Sequence, residues 1–494
     1  MVSKEVGSVS MAAGELTDQA ESSIRVTDRA AYAGSSSSAV ETAPAPAPRK
    51  QDILSKPILK RFAVNVASLF SLHVANMLLP LLTVPYVVRI IGPERLGLLN
   101  FSQAFVAYFT LLINYGFDMA SVRAIAANRD NAEVKNRVFS EVIFGKSALW
   151  VVSTIIFAVI SSFVDEFRAH YWLHICTYIG TIGIVFFPVW LYQAMENLGR
   201  VALFNTIIKV LVTLTVFIFI QQPEDYVYQN LSLSLSQVMV SFVAFFVAVK
   251  RFNIHFSWPT MAQMTKRFRD DSTLFFTSVV ATIYAGSNIF LLGMFSTPYN
   301  VGIFSAGTRI VGIAQAFVSL ALNQAFFPIV ANAFGQSEEK GLTIVRTIFF
   351  PVTLLMMLVS AGIWLIAPIF ISMFYGAKFE EAVLVLRIVA LLPITLGLNN
   401  LFGVHTMLSL RMDKAFFRIS AVGSIVSLSL NALFIQRFGH VGVACSWVIT
   451  EAFVTTSFYV YLRYKGIEVV KLSYLQEAIT FSKSRLAVLF KQQS

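Results

Sequence analysis

Apolar residues along this chain of 494 residues fall in long unbroken runs, neither alternating as in strands nor confined to narrow helical stripes. Polar or turn-forming breaks divide the chain into about twelve such runs. They lie near residues 62–88, 96–117, 137–163, 170–194, 201–221 and 231–250, then 272–296, 300–334, 345–372, 380–408, 415–436 and 439–463. A helix needs roughly 20 apolar residues to cross a bilayer, so each run is long enough to do so. The pattern predicts an all-α polytopic membrane protein. Pro80 and Pro85 sit near the end of the first run. Each removes a backbone donor and crowds the carbonyl one turn earlier, which kinks a helix. Freed carbonyls are tolerated in lipid only where they face protein or water, so this helix is expected to line something wet.

The flanks read differently. Residues 1–55 are rich in Ser, Ala, Pro and acidic groups and predict a disordered cytoplasmic tail. They contain no continuous apolar stretch of the kind a secretory signal needs. Residues 251–271 predict a basic cytoplasmic loop between two bundles, 56–250 and 272–463. Residues 464–494 mix Val469, Leu472 and Ile479 with Lys471, Lys483 and Arg485, which suits an amphipathic helix on the membrane surface.

The two bundles share a signature. Pro93-Glu94-Arg95-Leu96-Gly97 introduces the second run and Pro298-Tyr299-Asn300-Val301-Gly302 the eighth, with a fainter echo between Ala202-Leu203-Phe204 and Ala415-Phe416-Phe417. The similar spacing predicts two six-helix bundles related by an internal repeat of the parallel type, with the substrate path between them.

Composition sharpens this picture. The chain is 56% hydrophobic and only 13% charged, against about 25% charged in a soluble domain. The net charge of +11 sits mostly in alternate connections, including Arg129, Lys135, Arg137, Lys250, Arg251, Lys266, Arg267, Lys340 and Lys414. That is the positive-inside pattern; it puts both termini in the cytoplasm and makes a nucleic-acid partner unnecessary. Cys176 and Cys445 lie alone in apolar runs and read as small buried side chains.

Charges inside the runs are the candidate chemistry. Lys146 and Arg309 lie nine residues, and Lys209 eight, from the estimated start of a run, which at ~1.5 Å per residue is ~12–13 Å deep. Cations at that depth face a bundle interior or a wet cavity, or are held in buried pairs, and Asp118, Glu141, Glu196 and Glu451 are the acidic candidates to pair with them. A cavity with a positive balance suits an anionic, phosphorylated substrate, with Arg offering paired donors and Lys a point charge. Arg89, Arg123 and Arg387 lie near run ends, where an interfacial role competes with a binding one. His73 and His405 are candidates for ion coupling, with Glu451 beside them, although hydrogen-bonded structural histidines fit as well. Asn65, Asn76, Asn288 and Asn399 either join helices or meet sugar hydroxyls.

The stretch Leu79-Pro80-Leu81-Leu82-Thr83-Val84-Pro85-Tyr86-Val87-Val88-Arg89-Ile90-Ile91-Gly92-Pro93-Glu94-Arg95-Leu96-Gly97, followed by Tyr115-Gly116-Phe117 and Arg123, resembles the opening of the polysaccharide repeat-unit flippases. These are Wzx-type translocases of the multidrug/oligosaccharidyl-lipid/polysaccharide exporter superfamily. Val87 and Ile91 stand where the pattern expects Leu, and the polar tail is long. The resemblance implies translocation of undecaprenyl-pyrophosphate-linked oligosaccharide repeat units across the bacterial inner membrane, by alternating access. It implies a polysaccharide polymerase and a chain-length regulator as partners, a monomeric chain, and binding roles for Arg89 and Arg123, which match its motif positions.

Catalytic signatures are lacking. Gly145-Lys146-Ser147 looks like the end of a nucleotide-binding loop, but Ser140 stands where the first glycine is required. No His-Glu-x-x-His, Cys-x-x-Cys or Gly-x-Ser-x-Gly occurs, so neither an enzyme nor a metal or cofactor is expected. A multidrug exporter of the same superfamily is the nearest rival and would favour deep acidic groups in the first or seventh run, which have none. A membrane polysaccharide polymerase would need a large extramembrane loop.

Overall fold

The computed structural model describes residues 56–322 and 326–470, and every regular element among them is helical. The first part comprises α1 (Lys56–Asn114), α2 (Phe117–Ala126), α3 (Ala132–Phe163), α4 (Tyr171–Tyr178), α5 (Gly180–Phe186), α6 (Val189–Ala194), α7 (Leu198–Phe219) and α8 (Val227–Arg251). The second part comprises α9 (Met261–Phe295), α10 (Pro298–Ala321), α11 (Phe327–Gln336), α12 (Glu338–Phe374), α13 (Ala382–Val389), α14 (Leu392–Asn399) and α15 (Asp413–Tyr464). A π-helical segment, Asn400–Leu408, continues α14. Among the described residues eight helices are long and apolar enough to cross a membrane, or nine if the bent α9 counts as one span.

Two of these helices turn back on themselves. With 59 residues, α1 would be ~90 Å long if straight, about three times the ~30 Å hydrocarbon thickness. It breaks at Gly92, where φ is 76° and ψ 177°. Only glycine reaches that backbone region without a Cβ penalty. The break thus falls after Pro85, seven residues beyond the kink the prolines suggest. In the same way α15, with 52 residues, breaks at Gly439 (φ 51°, ψ −127°). The chain therefore alternates between two ends of the bundle. One carries Gly92, Pro298, Tyr375 and Gly439; the other carries Gly116, Asn131, Thr260 and Arg411. They are called the Gly92 end and the Gly116 end below.

Other passes are interrupted. Residues 171–194 form α4, α5 and α6 in succession, and the last begins after Pro188. The basic run expected as loop at 261–269 is instead the first turns of α9. Thr260 accepts from the Gln263 amide at 3.3 Å, while the Gln263 side chain accepts from the Thr260 amide at 2.8 Å. This reciprocal cap starts the helix early. Residues 1–55 and 471–494 lie outside the described residues.

The surface and core are distributed as a lipid solvent demands. Phe163, Leu365 and Ile369 are 82%, 66% and 67% exposed, whereas Asn230, Asn431, Thr450 and Glu451 are buried. The apolar core is joined across both parts of the chain at the Gly92 end, where Val88, Phe101 and Phe105 pack with Leu292, Val301 and Phe304. Near the Gly116 end each part has a core of its own, one around Phe117, Phe139 and Trp190 and another around Val345, Phe402 and Phe458.

The two parts meet backbone to backbone at the two Pro-x-x-x-Gly turns. A Cβ added to Gly97 would run into the Pro298 carbonyl, and one added to Gly302 would run into that of Pro93. The contact is reciprocal, so each turn uses its glycine to admit the backbone of the other.

Candidate functional site

A cleft of about 220 Å³ opens between the two parts. From the first part Val84, Val88, Asn100 and Gln103 of α1 line it, with Gln229 and Leu233 of α8. From the second part come Ser305 and Arg309 of α10 and Tyr375 after α12. Arg309 is exposed and makes no hydrogen bond or ion pair among the described residues. Gln229 Oε1 and Ser305 Oγ are buried and likewise lack hydrogen-bond partners. Buried polar groups are rarely left without partners, so these atoms and the guanidinium are ready for a polar guest. The cleft has room for a few waters or a phosphate-sized group; a whole oligosaccharide would need it to open.

Behind the cleft wall runs a chain of hydrogen bonds. Gln103 Nε2 donates to Asn230 Oδ1 at 2.8 Å, and Asn230 Nδ2 donates to Thr177 Oγ1 at 2.8 Å and to the Leu99 carbonyl at 3.2 Å. The Thr177 hydroxyl donates to the Leu173 carbonyl at 2.8 Å, so the Ser102 hydroxyl, 2.7 Å away, must be the donor to Thr177. Ser102 has then used its one proton, and His174 Nδ1, at 3.0 Å, must be the donor to Ser102 Oγ. This assigns His174 the neutral Nδ1–H tautomer. Its Nε2 has no hydrogen-bond partner and lies among the rings of Phe101, Phe105 and Phe167. Nothing in the sequence pattern sets His174, Asn230, Gln229 or Tyr375 apart from other polar residues in the apolar runs.

The other cations are dispersed. Lys146 lies on α3 with its side chain 1% exposed, and its Nζ is 2.7 Å from Asp118 Oδ1 on α2 and 3.4 Å from the Ile184 carbonyl. Asp118 is 34% exposed, so the accessible member of the pair is the anion. Lys146 therefore takes the buried-pair alternative, away from the residues that line the cleft. Lys209 is half-buried on α7. Arg89 donates through Nη2 to the Met373 carbonyl at the end of α12, which ties the two parts together at the Gly92 end. Arg123 is exposed in the last turn of α2, at the opposite end. Of the five cations expected to bind substrate, only Arg309 lines the described cleft.

Among the coupling candidates, the side chain of His73 lies outside the described residues. His405 is fully buried in the π-helical segment, with no hydrogen-bond partner for either ring nitrogen. Glu451 is 3% exposed and accepts from Asn399 Nδ2 at 3.2 Å. A further charged cluster ties α9 to the first part. Arg267 donates to Asp271 at 2.7 Å and to the Ser121 hydroxyl at 2.6 Å, and lies 3.7 Å from Glu141.

Residues 62–334 match the polysaccharide biosynthesis protein family. A putative O-antigen transporter of Escherichia coli strain K12 is 26% identical over 399 residues, which cover 81% of this chain and 96% of the relative. A probable low-salt glycan biosynthesis flippase, Agl15 of Haloferax volcanii, is 25% identical over 180 residues, or 35% of this chain and 38% of its own. Among solved structures the fold is similar to that of lipid II flippase MurJ in an inward closed conformation, with a TM-score of 0.66 at 13% identity, covering 88% of this chain and 93% of that one. It is also similar to an inward-facing multidrug resistance MATE family transporter of the MOP superfamily, with a TM-score of 0.61 at 16% identity, covering 81% and 98%. The chain belongs to the polysaccharide biosynthesis protein family.

Proposed function

We propose that this protein flips lipid-linked oligosaccharide repeat units, carried on undecaprenyl pyrophosphate, from the cytoplasmic to the periplasmic leaflet of a bacterial inner membrane. The observation that carries the reading is Arg309, an exposed guanidinium with no ion-pair partner among the described residues, in a cleft shared by both parts of the chain. A pyrophosphate offers the paired oxygens a guanidinium fork fits best. Asn100, Gln103, Gln229 and Ser305 supply the donors and acceptors that sugar hydroxyls need, and the polyprenyl tail stays in lipid.

The architecture belongs to the same proposal. The breaks at Gly92 and Gly439 and the bonded-through pass 382–408 are consistent with twelve passes in two six-helix bundles. The reciprocal fit of Gly97 and Gly302 supports an internal repeat with its axis between those turns. Lys and Arg crowd the Gly116 end, which the positive-inside rule assigns to the cytoplasm together with both termini. The joined core at the Gly92 end then forms the periplasmic closure, with Arg89 as a latch, while Arg123 stands at the cytoplasmic mouth. Lys146 acts through Asp118 as a positioning residue for the wall of the first bundle, and Lys209, on α7, is a second cation of that bundle. Rocking the bundles about the cleft presents Arg309 to each leaflet in turn. A polymerase and a chain-length regulator would consume the product.

The test replaces the chromosomal copy with Arg309→Ala and resolves the lipid-linked sugars by leaflet. Finished repeat units facing the cytoplasm are expected. Accumulation of unfinished units would point to a transferase instead, and an unchanged polymer yield would remove Arg309 from the mechanism.

A further inference from the structure

A second hollow, of about 700 Å³, lies on the flank of the second part and is built wholly from the end of α12, the turn after it and α13. Its lining includes Pro368, Ile369, Ser372, Glu380, Leu384 and Arg387. Leu384 and Ile369 are 52% and 67% exposed, as suits side chains that meet lipid. Arg387 is out of keeping with that wall. Its guanidinium sits 4.8 Å from the centre of the Trp364 ring, and its Nε is buried with no hydrogen-bond partner. Stacking on an aromatic face satisfies the plane of a guanidinium and leaves its edge donors unused. Glu380, in the turn that precedes α13, also lines the hollow and lies toward the start of that pass.

From this arrangement we infer that the hollow binds one zwitterionic glycerophospholipid with a primary amine in its headgroup. Arg387 holds the phosphodiester, Glu380 holds the ammonium, and an acyl chain lies along Ile369 and Leu384. The charge order fits the lipid: the cation lies within α13, further into the pass, and the anion lies in the turn before it, as phosphodiester and ammonium do in such a headgroup. The hollow includes no residue of the first part and does not share the lining of the cleft, so this inference stands apart from the flippase reading.

The full chain, purified in detergent and stripped of lipid, is mixed with phosphatidylethanolamine, phosphatidylglycerol or undecaprenyl phosphate, and retained lipid is counted by native mass spectrometry. Wild-type protein is expected to retain phosphatidylethanolamine in preference to phosphatidylglycerol. Arg387→Gln lowers retention of both about tenfold, as the loss of a charge-assisted contact should. Glu380→Gln removes the preference but keeps phosphatidylglycerol. If Arg387→Gln does not fold, Leu384→Trp, at a lipid-exposed position, fills the hollow and is expected to give the same loss. Equal retention by wild type and either hollow variant overturns the site. Displacement of phosphatidylethanolamine by equimolar undecaprenyl phosphate would assign the hollow to the polyprenyl carrier and overturn the phospholipid.

Discussion

Gly97 and Gly302 face each other so closely that a Cβ on either would strike the backbone carbonyl at the start of the opposite turn. Substitution by Ala cannot be absorbed by a side-chain rotation here, because the obstacle is backbone. Gly302→Ala is therefore expected to wedge the Gly92 end apart. In a variant with Cys176 and Cys445 replaced, Asn100→Cys in the cleft reports this. Its labelling by a membrane-impermeant thiol reagent from that end should rise several-fold when Gly302→Ala is added. An unchanged rate would show that the two turns do not form the closure.

Arg309 supplies the only cation among the residues that line the described cleft. Arg309→Ala is expected to reduce polymer yield at least tenfold at normal expression, since it removes a charge-assisted contact of roughly 1.5–3 kcal/mol. Arg309→Lys keeps the charge and loses the paired donors, so partial transport should survive. Comparison of the two against the leaflet distribution of lipid-linked sugar separates charge from geometry.

Lys146 and Asp118 give an asymmetric prediction. Removal of Asp118 strands an ammonium that is 1% exposed, whereas removal of Lys146 leaves a carboxylate that already touches solvent. Breaking a buried pair from the costly side destabilises by about 3–5 kcal/mol. Asp118→Ala should therefore lower the melting temperature in detergent more than Lys146→Met. The double substitution should recover part of the loss. Equal effects of the two single changes would show that the pair is open to water.

The hydrogen-bond chain from Gln103 to His174 predicts a stability cost away from the cleft. Asn230→Ala removes three hydrogen bonds, to Gln103, Thr177 and the Leu99 carbonyl, each worth about 0.5–1.5 kcal/mol. The melting temperature should fall, and transport should fall with it as Gln103 loses its anchor. Ser102→Ala severs only the outer end, so it should destabilise less and leave Gln103 in place.

Much of this was legible in the chain because lipid imposes one rule on every pass. Run lengths alone indicated an all-helical membrane chain, while the first break came at Gly92 and not at the prolines that suggested a kink. The Pro-x-x-x-Gly pair was also readable, since both copies keep Pro and Gly at the same spacing. Pairing across helices was not. Asp118 sits 28 residues from Lys146, and nothing in spacing distinguishes a partner at 2.7 Å from an open chamber. Arg267 looked like one of many basic loop residues, yet the reciprocal cap at Thr260 draws it into a helix and against Ser121. His174 is as lone in its apolar run as His73 and His405, so nothing in sequence sets it apart from them, and its tautomer follows only from counting the protons of Ser102 and Thr177.

The manner in which α9 is fastened bears on how the protein moves. Its start is tied by Arg267 to Ser121 and Glu141 of the first part, while its end packs with α10 and α15 of the second. Between them the axis turns by 57°, from Met261–Ile283 to Gly286–Phe295. The mechanical frontier therefore does not coincide with the midpoint of the chain. It runs through the interior of a single helix, so the rocking proposed above would have to be taken up as flexing between the two segments of α9.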